Sequence, residues 1–495
     1  MLATELAQLI YLKKIVGDLS GVTIDYLAQD SRKVQPNTLF FCIDGVTVDG
    51  HRFAAAAKEK GAVAFVASKS IQDQVGDTPV IYVKDVTRVM ALLANHFYGY
   101  PTQSLQMIGV TGTNGKTSVT HMIDALIEQP DKPTALIGTI YRKIGSKIIP
   151  THNTTPEILT LHETFKELKE IGGETCLMEV SSHALQLGRI WGLDYDCVVF
   201  TNLTHEHLDL HKTMEQYAHA KSLLFSQLGN YVGENRKPKV AILNADDEQF
   251  EMLEYSTPVQ VISYGINAAA DFKAENIRTE NGHTMFELVI QQEKRYMVDM
   301  LLLGTFNVYN MLSAIAVAYV YGVSIEEILK KVKAFQGVAG RMQSVDKGQD
   351  FQVIVDFAHT PDGLENVLDS LEQIPHEKII TVIGHSGGNR DSSMRPELGR
   401  IALTKSDHVV FTADNPRTEP LSNVYEGLLS AVNKESVSYE CIDKREEAIE
   451  KALQLANKND IVLLAGKGVE PYQIIGEVEY PYNEIEVVES LLGKL

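Results

Sequence analysis

Short apolar runs recur along the chain, each closed by Gly, Asp, Asn or His and followed by a segment of helical period. MIGVTG (107–112) precedes THMIDALIE; TCLMEV (175–180), CVVFTNL (197–203) and KVAILNADD (239–247) come next. Later runs are FQVIVDFAH (351–359), KIITVIG (378–384), HVVFTADNP (408–416) and DIVLLAGKG (460–468). Runs of this length, rich in β-branched residues, predict buried parallel strands in αβ units. The fold class is therefore α/β, and chemistry is expected where these runs end, because ligands of such sheets bind beyond the carboxyl ends of the strands. The most apolar span, Met311 to Val323, includes Ser313 and two tyrosines. It falls short of the ~20 residues a membrane helix needs and predicts a core helix. Turn-rich YGYPT (98–102) and FQGVAG (335–340) suggest boundaries. Domains at 1–99, 100–335 and 336–495 result.

Composition agrees with that division, since 495 residues at roughly 150 per domain give about three domains. With 44% hydrophobic and 22% charged residues, disordered, collagenous and disulfide-scaffold classes are excluded. Charge adds a constraint: 45 Lys+Arg against 65 Asp+Glu gives a net −20, a surface that repels nucleic acid and anionic membranes. Cys42, Cys176, Cys197 and Cys441 form no CxxC pair and no zinc spacing, as expected for reduced thiols. The start, MLATELAQLIYLKK, puts its lysines after the apolar stretch and offers no small-residue cleavage site. A cytoplasmic protein with no nucleic-acid or membrane partner is the expectation.

GVTGTNGKTSVTHMIDALI is the strongest single signal. A strand runs into Gly109, Gly112 and Gly115, then Lys116 and Thr117 open an amphipathic helix. Glycines let backbone N–H groups approach phosphate oxygens, and a helix N-terminus favours anions. Lys116 is placed for β/γ-phosphates and the Thr117 hydroxyl for Mg²⁺. The strict P-loop wants a glycine where Val110 stands, so this is a variant loop, and ATP or GTP is its expected ligand. Glu179 closes a neighbouring run and is a carboxylate for Mg²⁺. His205, His207 and His211 follow the next run. His207 and His211 stand at i, i+4, which admits zinc if both lie on one helix face. HExxH fails, however, because Asp209 stands four residues after His205. A His207 linked to Mg²⁺ or phosphate is preferred, with incidental surface histidines as the plain alternative.

Further segments complete a set: DSR (30–32), DGH (49–51), TGTNGKT (111–117), NTTPE (153–157), MEVSSHAL (178–185), NLTHEHLD (202–209) and YAHAKSLLF (217–225). GTFNVYN (304–310), VAGR (338–341), DFAHTPD (356–362), GGNRD (387–391), DNPR (414–417) and GKGVEPYQ (466–473) follow in order. Together these resemble the Mur ligases, ATP-dependent amide-bond synthetases of peptidoglycan precursor assembly. The similarity spans essentially the full length. It implies a three-domain architecture, with a central P-loop-type, mostly parallel sheet and a Rossmann-like C-terminal domain.

The resemblance also implies roles. ATP would phosphorylate the D-Glu γ-carboxylate of UDP-MurNAc-L-Ala-D-Glu, and the amine of a diamino acid would attack the acyl phosphate. Gly112, Thr113, Asn114, Gly115, Lys116 and Thr117 would hold the ATP phosphates, Asn307 the adenine, and Arg341, Asp356 and His359 would reach ATP from the third domain. Thr117, Glu179, His207 and Lys221 would serve the metal, with Lys221 as an N-carboxylysine. Lys116, Glu179, His207 and Lys221 form the catalytic set. Read alone, Lys221 is an exposed helix lysine and Asn307 a helix N-cap. Ser31, Asp49, Gly50, His51, Asn153, Thr154, Thr155, Ser181 and Arg189 match the UDP-MurNAc-dipeptide site. Arg390, Asp414, Asn415, Arg417, Gly466 and Glu470 match the amino-acid site.

In the ligases this chain resembles, an Arg at the end of DNPR accompanies meso-diaminopimelate, whose distal carboxylate Arg417 could bind bidentately. L-lysine is the second choice, and a surface pair of Arg417 with Glu419 is the plain reading. Asn389, Val469, Ser392, Ser393, Met394, Glu206 and Phe357 depart from the family pattern. A folylpolyglutamate-synthetase-like ligase shares the GTNGKT loop, and a P-loop motor or GTPase is a third class. One site built within one chain is compatible with a monomer.

Overall fold

The computed structural model describes residues 1–45, 48–229, 238–280, 282–388, 390–433 and 438–494. Asn389 lies outside the described residues. The chain divides into two compact units, Met1–Ile108 with Gln129–Asp196, and Gly109–Glu128 with Cys197–Leu495.

In the first unit, strands Tyr26–Ala28, Thr38–Phe41, Ala62–Ala67 and Val80–Tyr82 pair in parallel, and Lys14–Val16 closes the far edge antiparallel to Val80–Tyr82. Thr38–Phe41 is buried throughout, and Phe40 meets Phe65 edge-on in the core. The same unit pairs Thr175–Glu179 in parallel with Thr134–Ile137, then adds the antiparallel strands Tyr141–Ile144 and Lys147–Pro150. Helices Val86–Phe97 and Ile158–Glu170 approach one another, with Tyr98 stacked on buried His162. The chain's one tryptophan, Trp191, lies under the Arg88 guanidinium.

The second unit contains two sheets. Cys197–Phe200, Val240–Asn244 and Gln260–Gly265 run parallel and continue into the meander Phe272–Glu280, His283–Ile290, Lys294–Met300. Helix Thr305–Val320 carries the apolar span and is buried along most of its length, as a core helix should be. The other sheet orders its strands Gln343–Ser344, Gln352–Asp356, Ile461–Ala465, Ile379–Ile383, His408–Thr412 and Tyr439–Ile442. All of these pair in parallel except the short first strand. Separate apolar clusters flank its two faces, one around Leu364, Leu398 and Leu428, the other around Ile449, Leu453 and Val488. That burial on both faces explains why these strands read as continuous apolar runs.

Each of the eight apolar runs is a strand. Not anticipated were the 272–300 meander, the 141–150 hairpin and the small first-unit sheet, where alternating or short strands leave a weaker periodic signal. Three cysteines are buried and Cys441 is exposed.

Candidate functional site

The glycine loop of the second unit forms because strand Gln106–Thr111 must turn into helix Lys116–Ile127 with no room for side chains. Gly112 has φ 147° and Gly115 φ 87°. A Cβ at Gly112 would stand 1.8 Å from Thr201 Oγ1, and one at Gly115 2.5 Å from Asn310 Oδ1. The loop is braced from the strand-end segment that follows Cys197–Phe200. Thr113 N–H donates to Asn202 O (2.8 Å) and Asn114 N–H to Asn202 Oδ1 (2.9 Å). Thr201 Oγ1 donates to Asn114 O (2.6 Å).

Two lysines converge on this loop. Lys116 Nζ folds back to donate to Gly112 O (2.9 Å) and Thr113 O (2.7 Å). Lys221, on helix Met214–Ser226, donates to the same Gly112 O (2.7 Å) and lies over the Tyr217 ring. It is only 2% exposed, so the surface-lysine reading is wrong: the helix turns this position inward. Burial, then the nearby Lys116 charge, holds its ammonium well below the ordinary lysine range, against an opposing pull from Glu206. Among the described residues no carboxylate makes an ion pair with it.

Glu206 is buried and faces His207 (3.4 Å) and His359 (3.2 Å). Burial alone raises its carboxyl, but His207, His359 and Lys116 outweigh that and hold it well below the usual range. His359 points both ring nitrogens at acceptors, Nδ1 at Phe357 O (3.0 Å) and Nε2 at Glu206 Oε1. Only the imidazolium donates at both positions. Burial opposes that charge, yet the Glu206 bond raises the histidine above its ordinary value. His207 itself has φ 59° and precedes the short helix Leu208–His211, while His211 is buried against Tyr217. His207 stands outside the helix that ends at His211, although both rings lie against Tyr217. Among the described residues no cluster of three or more His, Cys, Asp or Glu side chains is placed to hold a metal ion.

Residues after 335 reach the same loop. Arg341 donates to the Thr117 hydroxyl (3.1 Å) and lies on the Phe357 ring. Asn114 Nδ2 donates to Asp362 Oδ2 (2.6 Å). Ser393 Oγ approaches His205 Nε2 (3.4 Å). Asp356, buried, accepts from Met342 N–H (2.6 Å) and Ala358 N–H (2.7 Å), so it shapes its own loop. Asn307 is not a helix N-cap, because Gly304 holds that place; its side chain donates to Leu303 O (2.8 Å) one turn inside.

A second cluster gathers beyond the strands His408–Thr412 and Ile461–Ala465. Asn415 Nδ2 donates to Glu470 Oε2 (2.8 Å), and its Oδ1 accepts from Ile474 N–H (2.9 Å). Asp414, buried, accepts from Ser386 Oγ (2.6 Å). Gly466 takes φ 97° at the turn that follows the Ile461–Ala465 strand. Arg417 adopts φ 51° and is clipped to the hairpin Tyr472–Ile475/Val478–Pro481: its N–H donates to Ile474 O (3.1 Å), and Gly476 N–H donates to its carbonyl (2.8 Å). The pairing with Glu419 does not occur, because Arg395 holds that carboxylate with two nitrogens (2.7 and 2.8 Å). Burial, then the charge of exposed Arg390, lowers the proton affinity of Arg417.

The first unit holds the other expected residues. Ser31 opens a short turn capped by Asp30. Asp49 binds Lys69 (2.8 Å) and His51 Nδ1 (2.6 Å), and these bonds hold it far below the carboxylate range. Buried His51 accepts at Nε2 from Ser68 N–H (3.1 Å), so both its ring nitrogens are engaged inside the 49–51 turn that Gly50 completes. Glu179, fully buried, accepts from Thr139 N–H (2.8 Å) and Oγ1 (2.9 Å). Thr154 Oγ1 lies 3.0 Å from the Thr139 hydroxyl, and Asn153 O accepts from Thr151 Oγ1 (2.8 Å). Thr155 donates to Glu179 O (2.7 Å) and accepts from Ser181 N–H (3.0 Å), while Ser181 caps the helix Ser182–Gln186. Arg189 pairs with Glu157 (2.9 Å) and donates to Thr155 O (3.1 Å).

Sequence reasoning missed Tyr217, Asp362, Asn310 and Lys467. All four lie inside the quoted motifs, and nothing local in those motifs marks which side chain turns inward.

Comparison with known proteins gives concordant matches. Residues 23–98 match "Mur ligase family, catalytic domain", 110–318 "Mur ligase middle domain", and 340–468 "Mur ligase, glutamate ligase domain". A Listeria monocytogenes protein named UDP-N-acetylmuramoyl-L-alanyl-D-glutamate--2,6-diaminopimelate ligase is 47% identical over 94% of this chain and 93% of its own. A Bacillus velezensis protein of the same name is 45% identical over 100% of this chain and 99% of its own. A solved structure, again described as that ligase, aligns at TM-score 0.64 and 30% identity, covering 95% of each chain. The three matched segments carry the α/β, three-domain architecture expected from the motifs, and the chain belongs to the Mur ligase family.

Proposed function

We propose that the protein is an ATP-dependent, ADP-forming ligase that joins meso-diaminopimelate to the D-Glu γ-carboxylate of UDP-MurNAc-L-Ala-D-Glu, a step of peptidoglycan precursor synthesis. The observation that carries the reading is the agreement between the relatives' diaminopimelate-ligase name and the guanidinium pair Arg390 and Arg417. L-lysine has no distal carboxylate to offer those cations. The folylpolyglutamate-type alternative leaves both the first 99 residues and DNPR without a purpose.

A carboxylate becomes an electrophile only once it has a leaving group. ATP supplies it: the carboxylate oxygen bonds to the γ-phosphorus, ADP departs, and the amine then attacks the acyl carbon and expels phosphate. Two anions meet in the first step, so fixed cations dominate its cost. Lys116 and Arg341 are those cations, and the N-terminus of helix Lys116–Ile127 adds a partial positive charge. The loop suits a polyphosphate, since glycine at 112 and 115 lets it turn against Thr201 and Asn310, where a Cβ would clash, into a helix N-terminus that favours anions. Asn307 would contact the adenine, with Asp356 and His359 behind the nucleotide. Glu470 and Asn415 would read the distal ammonium of the diamino acid, and Arg417 with Arg390 its carboxylate.

Thr117 and Glu179 would offer Mg²⁺ hydroxyl and carboxylate oxygens, and His207 a weaker imidazole donor; the ion would neutralise charge between phosphate and carboxylate. Lys221 fits the set only as a carbamate, because an ammonium repels a cation whereas N-carboxylation turns +1 into −1. Its depressed proton affinity favours the neutral amine that reacts with CO₂. Ser31, the Asp49–His51 turn, Asn153, Thr154, Thr155, Ser181 and Arg189 would hold the nucleotide-sugar dipeptide, with His51 as scaffold. The working domains are 1–99, 100–335 and 336–495. A cytoplasmic monomer is the working state, and among the described residues no helix is long and apolar enough to cross a membrane.

The test is product mass after incubation with ATP, UDP-MurNAc-L-Ala-D-Glu and equal meso-diaminopimelate and L-lysine. The diaminopimelate adduct should dominate, and preference for lysine overturns the assignment. Arg417→Ala should raise the diaminopimelate KM about a hundredfold, as loss of a bidentate charged contact does.

A further inference from the structure

Lys467 lies in the turn after strand Ile461–Ala465 and is 0% exposed. Its ammonium makes a short contact with Glu470 Oε2, donates to Asn415 Oδ1 (3.0 Å), and stands 3.5 Å from Asp414 Oδ1. The Tyr472 ring lies 5.6 Å away. Asn415 donates to the same Glu470 oxygen that Lys467 holds, so Lys467, Asn415 and Glu470 form a closed triangle. Its polar atoms are fixed further by Ile474 N–H on Asn415 and Ser386 on Asp414.

We propose that Lys467 is the positioning residue of the amino-acid pocket: a built-in ammonium that locks Glu470 and Asn415 in the orientation that reads the distal ammonium of the incoming diamino acid. The inference rests on the ligase reading given above. Charge counting supports it. Lys467, Asp414 and Glu470 together retain one negative charge to face the substrate ammonium, while Arg417 and Arg390 face its carboxylate. Without Lys467, Asp414 and Glu470 confront each other in a buried site and must separate or take up a proton. The Tyr472 side chain also hydrogen-bonds Glu470, so this carboxylate is held by more than the triangle alone. A Glu470 free to rotate would meet the diamino acid with an ordering cost that the locked side chain avoids.

The discriminating measurement separates acid activation from amine binding. Hydroxylamine is small enough to attack the acyl phosphate without the amino-acid pocket: its nitrogen bonds to the acyl carbon, the C–O bond to phosphate breaks, and a hydroxamate accumulates. Lys467→Met should raise the meso-diaminopimelate KM at least tenfold, leaving the ATP KM and the hydroxamate rate within about twofold of the unaltered enzyme. Lys467→Arg keeps the charge, and should recover part of the diaminopimelate KM. It also carries the test if the Met variant does not fold, then showing a raised diaminopimelate KM beside an intact hydroxamate rate. An unchanged diaminopimelate KM in Lys467→Met overturns the proposal alone. So does a parallel fall of hydroxamate and amide synthesis in a variant that is still folded at the assay temperature, since that marks a general structural role. An unaltered enzyme that makes hydroxamate but shows no saturable response to any diamino acid overturns both this proposal and the ligase reading.

Discussion

Lys221 and Lys467 are both buried lysines at the ends of parallel strands or beside them, yet their surroundings are opposite. Lys467 sits between two carboxylates and an amide oxygen. Lys221 shares one carbonyl oxygen with a second lysine and has an aromatic ring on its other side. Burying a charge is costly unless it is paired, so Lys467 is an ammonium held in place, whereas Lys221 is driven toward the neutral amine. Burial alone does not assign a lysine's role. Its counter-ions decide whether it is part of the framework or available for chemistry.

Activity offers the largest effect by which this contrast can be broken. Lys221→Ala should lower kcat by about three orders of magnitude, as loss of a charged group at a phosphoryl-transfer centre does. Bicarbonate with a short-chain carboxylic acid should restore part of it. A fully active Ala variant indifferent to CO₂ would end the carbamate idea.

Stability should invert the ranking. In CO₂-depleted, metal-free buffer, Lys467→Met should cost about 3–5 kcal/mol in denaturant unfolding, since it leaves buried carboxylates unpaired. Lys221→Met should fall within about 1 kcal/mol of the parent, because Gly112 O keeps its bond from Lys116 and no ion pair is lost. Equal losses would erase the distinction.

The smallest effect is a pH dependence. A lysine whose folded pKa is lowered presents neutral amine at pH values where an ordinary lysine is protonated, and loses it as pH falls through that lowered value. Enzyme stripped of CO₂ and then given a fixed concentration of dissolved CO₂ at each pH should regain activity faster as pH rises. The rate should level off well below the ordinary lysine pKa of about 10.4. A profile still climbing at that value would place Lys221 among ordinary surface amines.

The sequence made the strand ends legible because sheets covered on both faces demand unbroken apolar runs, and the ligands follow those runs at once. DNPR and GKGVE are examples: each begins where a strand stops, at Thr412 and Ala465. The antiparallel meander was not legible, since Phe272–Glu280 alternates burial with exposure and carries charges between its apolar positions. Within the site, Lys116 was visible from its motif, but the inward turn of Lys221 was not. Helix Met214–Ser226 has apolar residues on several sides, so its pattern names no single buried face. Long-range partners were equally hidden. Nothing near Glu419 in the chain says that Arg395 claims it, 24 residues earlier.

The backbone of Arg417 is strained at the residue that would read the substrate. Its left-handed backbone is a conformation that suits Asn or Gly better than Arg, at a cost of about 1 kcal/mol or more. The Tyr472–Pro481 hairpin clasps that backbone from both sides, through Ile474 and Gly476, without using the side chain. A descendant that abandoned a dicarboxylic amino acid would therefore gain foldedness from the same single substitution that altered its diet. At this position selection for substrate holds the protein away from its own most comfortable sequence, and the loop is already shaped to receive the replacement.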